Sequence, residues 1–210
     1  LTGTAIADYE MDPEITNDPE MAQRVKSALL SIPTISLASD KGNFFSTEED
    51  PETGGIYIFT GAPVGSGVGD GWERPASAEY FTADGSKSFQ INCGVELEGG
   101  HSRLPDKSPK HSFQLKFKKM YGPGKLEFPI FGDSANNVFD NIVLRSVYGS
   151  TWINRIASDR TGAVYNRDIW AKDAQRSMGH PSCHGTYVHL YINGIYWGIY
   201  NPLERMDADF

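Results

Sequence analysis

The sequence is short of cysteine, of long apolar runs and of positive charge. Its 210 residues include 2 cysteines, Cys93 and Cys183, which permit at most one disulfide and decide nothing about the redox environment. No run of about 18 apolar residues occurs, so the sequence predicts no membrane-spanning helix. The formal net charge of −8 argues against a nucleic-acid interface and against binding to an anionic membrane surface.

Familiar catalytic and metal-binding motifs are also missing. Neither the GxSxG elbow nor HExxH occurs, and no serine or cysteine triad stands out. His180, Cys183 and His184 have something like metal-ligand spacing, but no second cysteine pair completes a four-ligand set. We therefore predict no metal site and no catalytic residue within this chain.

A glycine-rich stretch, residues 61–71, has glycine at every second position from Gly65. A phosphate-binding loop of the dinucleotide or P-loop type opens a helix. Here the stretch runs into Trp72 and, three residues later, Pro75, which do not begin one. The pattern favours a flexible hairpin loop.

Alternation of apolar and polar residues is the strongest structural signal present. It is clearest over residues 88–98 and 112–118, which predict two strands joined by a loop. Shorter runs predict strands at residues 35–37, 55–59, 72–81, 125–131 and 139–145. Helical spacing predicts helices at residues 19–30, 152–157 and 166–178, the first capped by Asp18.

The stretch over residues 185–205 predicts a central β-hairpin. Asn193-Gly194 fits a two-residue turn with positive φ at both central positions. Both faces of the hairpin suit burial, so we expect neighbouring strands on each side. The turn predicts that Ile192 lies opposite Ile195, Leu190 opposite Trp197, and Val188 opposite Ile199.

The loop over residues 99–109 and the strand start beyond it gather Ser102, Arg103, Lys107 and Lys110 around two glycines. Backbone N–H groups near glycines and fixed cations both favour phosphate oxygens, so an anion site is one interpretation. A solvated basic loop is the other. Composition alone slightly favours the solvated loop.

Six separated segments, in this order and spacing, resemble the spore coat protein H (CotH) kinase family. The resemblance covers residues 32–210. It rests on WERPAS (72–77), GVELEGGHSRLPDKSPKHSFQLKFKKMYG (94–122), KLEFPIFG (125–132), FDNIVLRS (139–146), NRDIW (166–170) and HLYINGIYWGIYNPLER (189–205).

The resemblance implies a fold, an activity and a location. The fold would be α+β, a mostly antiparallel β-sheet with a few helices, like the small lobe of an atypical protein kinase. Residues 1–31 would be an extension and residues 32–210 the kinase-like domain. Family members transfer phosphate from ATP, with Mg²⁺, to serine or threonine hydroxyls of a protein substrate, and the closest ones are secreted or lie at the cell surface.

The resemblance also implies roles for individual residues. The phosphate-facing loop would be Gly99, Gly100, Ser102 and Arg103. Lys110 is the first choice for the phosphate cation, with Lys116 and Arg145 as rivals. Asp168, or Asp173, would orient that cation from a helix, and Glu204 would meet adenine through its backbone.

Two functions follow as alternatives. The chain is either the nucleotide-binding part of a CotH-like kinase or a non-catalytic secreted or surface module that binds through exposed aromatics such as Trp72 and Tyr187. On the kinase interpretation, the catalytic base and the metal-binding acid belong to a large lobe beyond Phe210. We then expect little transferase activity from this fragment alone.

Overall fold

The structure, a computed structural model, describes residues 11–56, 67–69, 71–104, 108–154 and 156–205. These residues form nine strands, five α-helices and two short 3₁₀ turns. The strands are β1 Thr34–Ala38, β2 Arg74–Phe81, β3 Ser88–Glu98, β4 Ser112–Lys116, β5 Leu126–Glu127, β6 Val138–Phe139, β7 Asn141–Arg145, β8 Val188–Ile192 and β9 Ile195–Leu203. The helices are α1 Pro13–Thr16, α2 Pro19–Leu29, α3 Lys41–Phe45, α4 Ala157–Thr161 and α5 Arg167–Ser177.

Seven strands close into a barrel in the order β1-β2-β3-β4-β7-β9-β8. Six of the seven pairings are antiparallel, and β1 closes the sheet by pairing in parallel with β8. The predicted α+β class, dominated by antiparallel sheet with few helices, is confirmed. Closure of the sheet was not predicted.

The core lies inside the barrel because successive side chains point to opposite faces of a strand. Its fully buried side chains include Leu37, Phe44, Phe113, Leu144 and Tyr200. Phe113 contacts Phe44 and Tyr200, with ring centroids 6.2 and 6.0 Å apart. One face of each strand is thus buried in the core, and the other face points outward and carries polar groups.

The helices agree with the sequence at two of three places. Asp18 caps α2 by accepting hydrogen bonds from Glu20 N and Met21 N, as predicted, and α5 lies within the predicted residues 166–178. The helix predicted at residues 152–157 is wrong. Asn154 binds Tyr148 O through its amide nitrogen and accepts from Ile156 N, which holds that segment as a loop.

Two of the strand predictions need correction. Residues 55 and 56 lie outside any strand, and residues 57–59 lie outside the described part of the chain. In residues 125–131 only Leu126–Glu127 forms a strand. Pro129 cannot donate to a ladder, so the pairing ends before it.

The hairpin β8–β9 is central, as predicted, because β1 flanks it on one side and β7 on the other. The predicted register of the hairpin is correct next to the turn and wrong beyond the bulge. Ile192 lies opposite Ile195, but a bulge between Leu190 and Tyr191 shifts the pairing, so that Leu190 lies opposite Gly198 and Val188 opposite Tyr200. The shift turns Tyr200 into the core and leaves Ile199 40% exposed.

The N-terminal helix α2 contacts the barrel at His189. His189 Nε2 lies 3.0 Å from the carbonyl oxygen of Ala28, at the end of α2. The division into residues 1–31 and 32–210 stays a prediction. No helix among the described residues has the length and apolar character needed to cross a membrane.

The bulge generates the first test. Gly198 has φ of +102°, and a Cβ built there would lie 3.2 Å from Lys110 Nζ. We expect Gly198→Ala to lower the free energy of unfolding by roughly 1–3 kcal/mol, because L side chains rarely adopt that backbone conformation. Urea unfolding at constant m-value measures it.

The matched control is Gly42→Ala in α3, where no atom lies within 4 Å of the added Cβ. That change should stabilise the protein slightly or leave it unaltered. Equal unfolding free energies for the two variants would show that the bulge does not need glycine.

Candidate functional site

A cavity of about 320 Å³ lies against the outward face of β3, β4, β7 and β9. It is lined by Glu98, Gly99, Ser102, Ser112, Val143, Arg145, Tyr148, Leu203, Glu204 and Arg205. Four predicted site residues are among them: Gly99, Ser102, Arg145 and Glu204. The bend after β3 and the segment after β9 therefore meet at one cavity.

Arg145 is the predicted cation that lines this cavity, and it has an acidic partner on a helix. Its guanidinium donates to Asp168 Oδ2, in the first turn of α5, and Lys172 Nζ binds the same oxygen at 2.5 Å. Among the described residues the other guanidinium donors of Arg145 have no hydrogen-bond partner. A guanidinium has five N–H donors, so most remain available for an anion. Asp173 instead pairs with Arg176 on the same helix.

The bend after β3 depends on the backbone conformation of Gly99. Gly99 has φ of +108°, and a Cβ there would lie 2.3 Å from Ser102 Oγ, whereas Gly100 has open space around it. A 3₁₀ turn, His101–Arg103, follows. Glycine is thus favoured at Gly99 by its backbone conformation, since rotation of the Ser102 side chain could relieve the close contact.

Glu204 and Arg205 form the far wall of the cavity. The buried Glu204 carboxylate accepts from His184 N at 2.6 Å and lies 2.9 Å from His184 Nδ1. The Glu204 N–H donates to His184 O at 3.1 Å, so that amide cannot also bind a nucleobase. Arg205 donates to Gln114 Oε1 and lies 3.6 Å from Glu98 Oε2.

Arg205, Ser112 and Tyr148 are lining residues that the sequence interpretation missed. The alternation over residues 112–118 places Ser112 on the polar face of its strand, which is the signal that could have found it. Arg205 stands beside Glu204 at the end of the predicted hairpin and could have been considered for the same reason. Tyr148 lies in an irregular turn, where no periodicity points to a face.

Two predicted cations lie outside the cavity lining. Arg103 is buried, donates to Gly69 O at 3.1 Å, and has its pKa lowered by burial. Lys116 Nζ lies 2.7 Å from Glu96 and 3.4 Å from Glu73, so its charge is already paired with two carboxylates. Lys116 is thus paired on the barrel wall, whereas Arg103 links the turn after Gly99 to the loop at Gly69.

Lys110, the first choice for the phosphate cation, is also absent from the lining. Its Nζ donates to the carbonyl oxygen of Ile199 at 2.5 Å and lies 4.2 Å from the centroid of the Tyr200 ring. Burial lowers the pKa of Lys110 to about 8. The Lys110 side chain is therefore held by contacts with Ile199 and Tyr200 of β9. Of the three candidate cations Lys110, Lys116 and Arg145, only Arg145 both lines the cavity and has an acidic partner on a helix.

Two aromatic side chains that were expected to be exposed, Trp72 and Tyr187, are not fully exposed. Trp72 is buried, and Tyr187 is half-buried; the exposed tryptophans are Trp152 (69%) and Trp170 (70%). Burial raises the pKa of the Cys93 thiol to about 12, which is typical of an unreactive cysteine packed in the core. In the glycine-rich stretch, residues 61–66 and 70 lie outside the described part of the chain.

No set of three or more His, Cys, Asp or Glu side chains in the described ranges could hold a metal ion. His184, from the cluster with metal-like spacing, is bound to Glu204 instead.

The fold and the cavity define an α+β protein with a closed sheet and a cavity where a strand cation meets a helical carboxylate. The sequence model of the family described as CotH kinase protein matches residues 95–210 of this chain. The match covers the bend, Arg145, Asp168 and the terminal hairpin, and the chain belongs to this family. No curated protein matches the chain.

The burial of Lys110 generates the second test. Its pKa is about 8 in the folded state and near the ordinary value of 10.5 in the unfolded state. Between these pH values the unfolded chain binds the proton and the folded chain does not, so the contribution of Lys110 to stability rises with pH. The wild-type free energy of unfolding, minus that of Lys110→Met, should increase from pH 8 to pH 10 in urea titrations.

The control is Lys87→Met, at an exposed position in the turn between β2 and β3. It should keep the wild-type pH dependence. If Lys110→Met also keeps it, Lys110 is not desolvated as described.

Proposed function

We propose that this chain is the nucleotide-binding part of a CotH-type protein kinase, which transfers the γ-phosphoryl group of ATP to serine or threonine hydroxyls of a protein. The observation that carries the proposal is the Arg145–Asp168 ion pair at a cavity that also contains the glycine bend. Protein kinases bind nucleotide phosphates with a glycine-rich loop and a strand cation, which a helical acid orients.

The order of these parts along the chain supports the same proposal. A loop between two strands comes first, then a strand cation, then a helix with an acid, as in protein kinases. Here the loop lies between β3 and β4, Arg145 ends β7, and Asp168 lies in α5. Arginine replaces the lysine that is usual in kinases, and its planar fork suits phosphate oxygens.

The lining groups are compatible with a polyphosphate. Arg145 and Arg205 supply two guanidinium groups, and Gly99 leaves its backbone accessible to an anion. Of the two lining carboxylates, Glu204 is bound to His184 and Glu98 lies near Arg205. On this proposal Lys110 gives way to Arg145 as the phosphate cation, and Asp168 is preferred to Asp173.

Mg²⁺ enters the proposal only as the ion that accompanies ATP. In kinases it bridges phosphate oxygens and is held by acidic groups of the large lobe. The described residues offer no such set, so residues of this chain would bind and orient the nucleotide while others hold the ion. A secreted or cell-surface location remains part of the proposal.

A second candidate function is a non-catalytic binding module of a secreted or surface protein. Trp152 and Trp170 favour it, because each exposes more than two thirds of its surface and tryptophan is enriched in recognition sites. The Trp152 ring also stacks on the Tyr165 ring, with ring centroids 6.0 Å apart and planes at 25°. Failure to bind nucleotide would leave this function as the better one.

Arg145 provides the direct test. We expect Arg145→Met to weaken binding of ATP with Mg²⁺ at least tenfold, because the charged donor to phosphate is lost, and Arg145→Lys to weaken it less. Isothermal titration measures the affinity. The ligand-induced rise in melting temperature should fall in parallel, as linkage requires.

Lys125→Met is the control, since Lys125 pairs with Asp140 on the surface and does not line the cavity. It should bind as the wild type does. The kinase proposal fails if the wild-type chain binds no nucleotide, or if Arg145→Met binds as tightly as the wild type.

A further inference from the structure

Two side chains from distant parts of the sequence converge on one backbone oxygen. Lys110 Nζ donates to the carbonyl oxygen of Ile199 at 2.5 Å, and the Tyr165 hydroxyl donates to the same oxygen. β7 pairs with β9 only from Asn201 to Leu203, so Ile199 lies beyond that ladder. Its carbonyl is therefore available to side-chain donors.

The two donors come from segments that border the proposed site. Lys110 lies where the chain leaves the loop after Gly99 and enters β4. Tyr165 lies two residues before α5, whose first turn carries Asp168. The Ile199 oxygen thus joins three parts of the structure: the loop, the start of α5 and strand β9.

Both side chains are held in place by further contacts. Lys110 Nζ lies over the ring of Tyr200, whose hydroxyl donates to His111 O at 2.9 Å. The Tyr165 ring lies between Trp152 and Tyr187, with centroids 6.0 and 6.1 Å away. Burial raises the pKa of Tyr165, so its hydroxyl remains a donor at neutral pH.

We propose that Lys110 and Tyr165 are positioning residues, which act through the Ile199 carbonyl to fix the start of α5 and thereby the Asp168–Arg145 pair at the cavity. This inference rests on the proposed nucleotide-binding function. It gives Lys110 a role different from direct phosphate contact. Errors of about 1 Å in the placement of a binding group can cost orders of magnitude in function, so a remote anchor of α5 has a measurable effect.

On this proposal, the effect of substituting Tyr165 or Lys110 on nucleotide affinity depends on whether Asp168 is present. Tyr165→Phe removes one donor and keeps the stacked ring, and Lys110→Met removes the other. Each should weaken binding of ATP with Mg²⁺ about threefold to tenfold in the wild-type background. In an Asp168→Asn background, where the ion pair is already lost, each should weaken binding less than twofold further.

Conservative and matched variants separate positioning from general stability. Lys110→Arg keeps a charged donor and should restore most of the affinity. Tyr191→Phe and Lys87→Met remove the same groups elsewhere and should leave affinity unchanged. Melting temperatures for every variant identify any that does not fold, and if Lys110→Met does not fold, Tyr165→Phe and Lys110→Arg carry the test.

Affinity is measured by isothermal titration of the 210-residue chain with ATP and Mg²⁺, with displacement of a fluorescent ATP analogue for the weaker variants. Equal losses in the wild-type and Asp168→Asn backgrounds, or no loss at all, would overturn the positioning role. That outcome is distinct from failure of the proposed function. If Arg145→Met loses affinity while Tyr165→Phe and Lys110→Met do not, nucleotide binding stands and only the positioning role is wrong.

Discussion

Closure of the sheet is the constraint on which the rest of the structure depends. When β1 pairs with β8, the seven strands enclose a single interior, and alternation commits one face of every strand to it. Polar side chains on β3, β4, β7 and β9 are then restricted to the outward face. The cavity lies on that face, so the position of the candidate site follows from the way in which the core is built.

The electrostatics of the cavity depend on which charges are already neutralised. Lys116 is paired with Glu73 and Glu96, and Arg103, in the turn after Gly99, is buried and donates to the Gly69 carbonyl. Arg145 is oriented by Asp168 and still has unused donors. A cation held by one carboxylate in a half-exposed site is prepared for a second anionic partner, which is what nucleotide phosphates would provide.

Much of this architecture was predictable, because alternation in β3 and β4 and the Asn193-Gly194 turn are strong local signals. The bulge in β9 was not, because the shift in pairing opposite Leu190 and Tyr191 and the positive φ of Gly198 are seen only in the folded hairpin. Lys110 was chosen as the phosphate cation from the sequence because a contact made only in the folded structure was not visible there. Its proximity to the loop was evident, but its contact with Ile199 is a tertiary interaction that no local pattern contains.

The site was predicted in part for a related reason. The grouping of Ser102 with cations near two glycines was visible in the sequence, whereas the role of Glu204 was implied by the family resemblance. The resemblance named Arg145 only as a rival to Lys110, so its pairing with Asp168, across 23 positions, was not predicted. Tyr148 lies in a turn without periodicity, and only the folded structure brings it to the cavity.

The most direct measurement is a crystal structure of the chain with Mg²⁺ and a non-hydrolysable ATP analogue. The account predicts triphosphate density between the Gly99 bend and the Arg145 guanidinium, with Asp168 still bound to Arg145. Density at another surface, with the cavity between Gly99 and Arg205 occupied only by water, would contradict it.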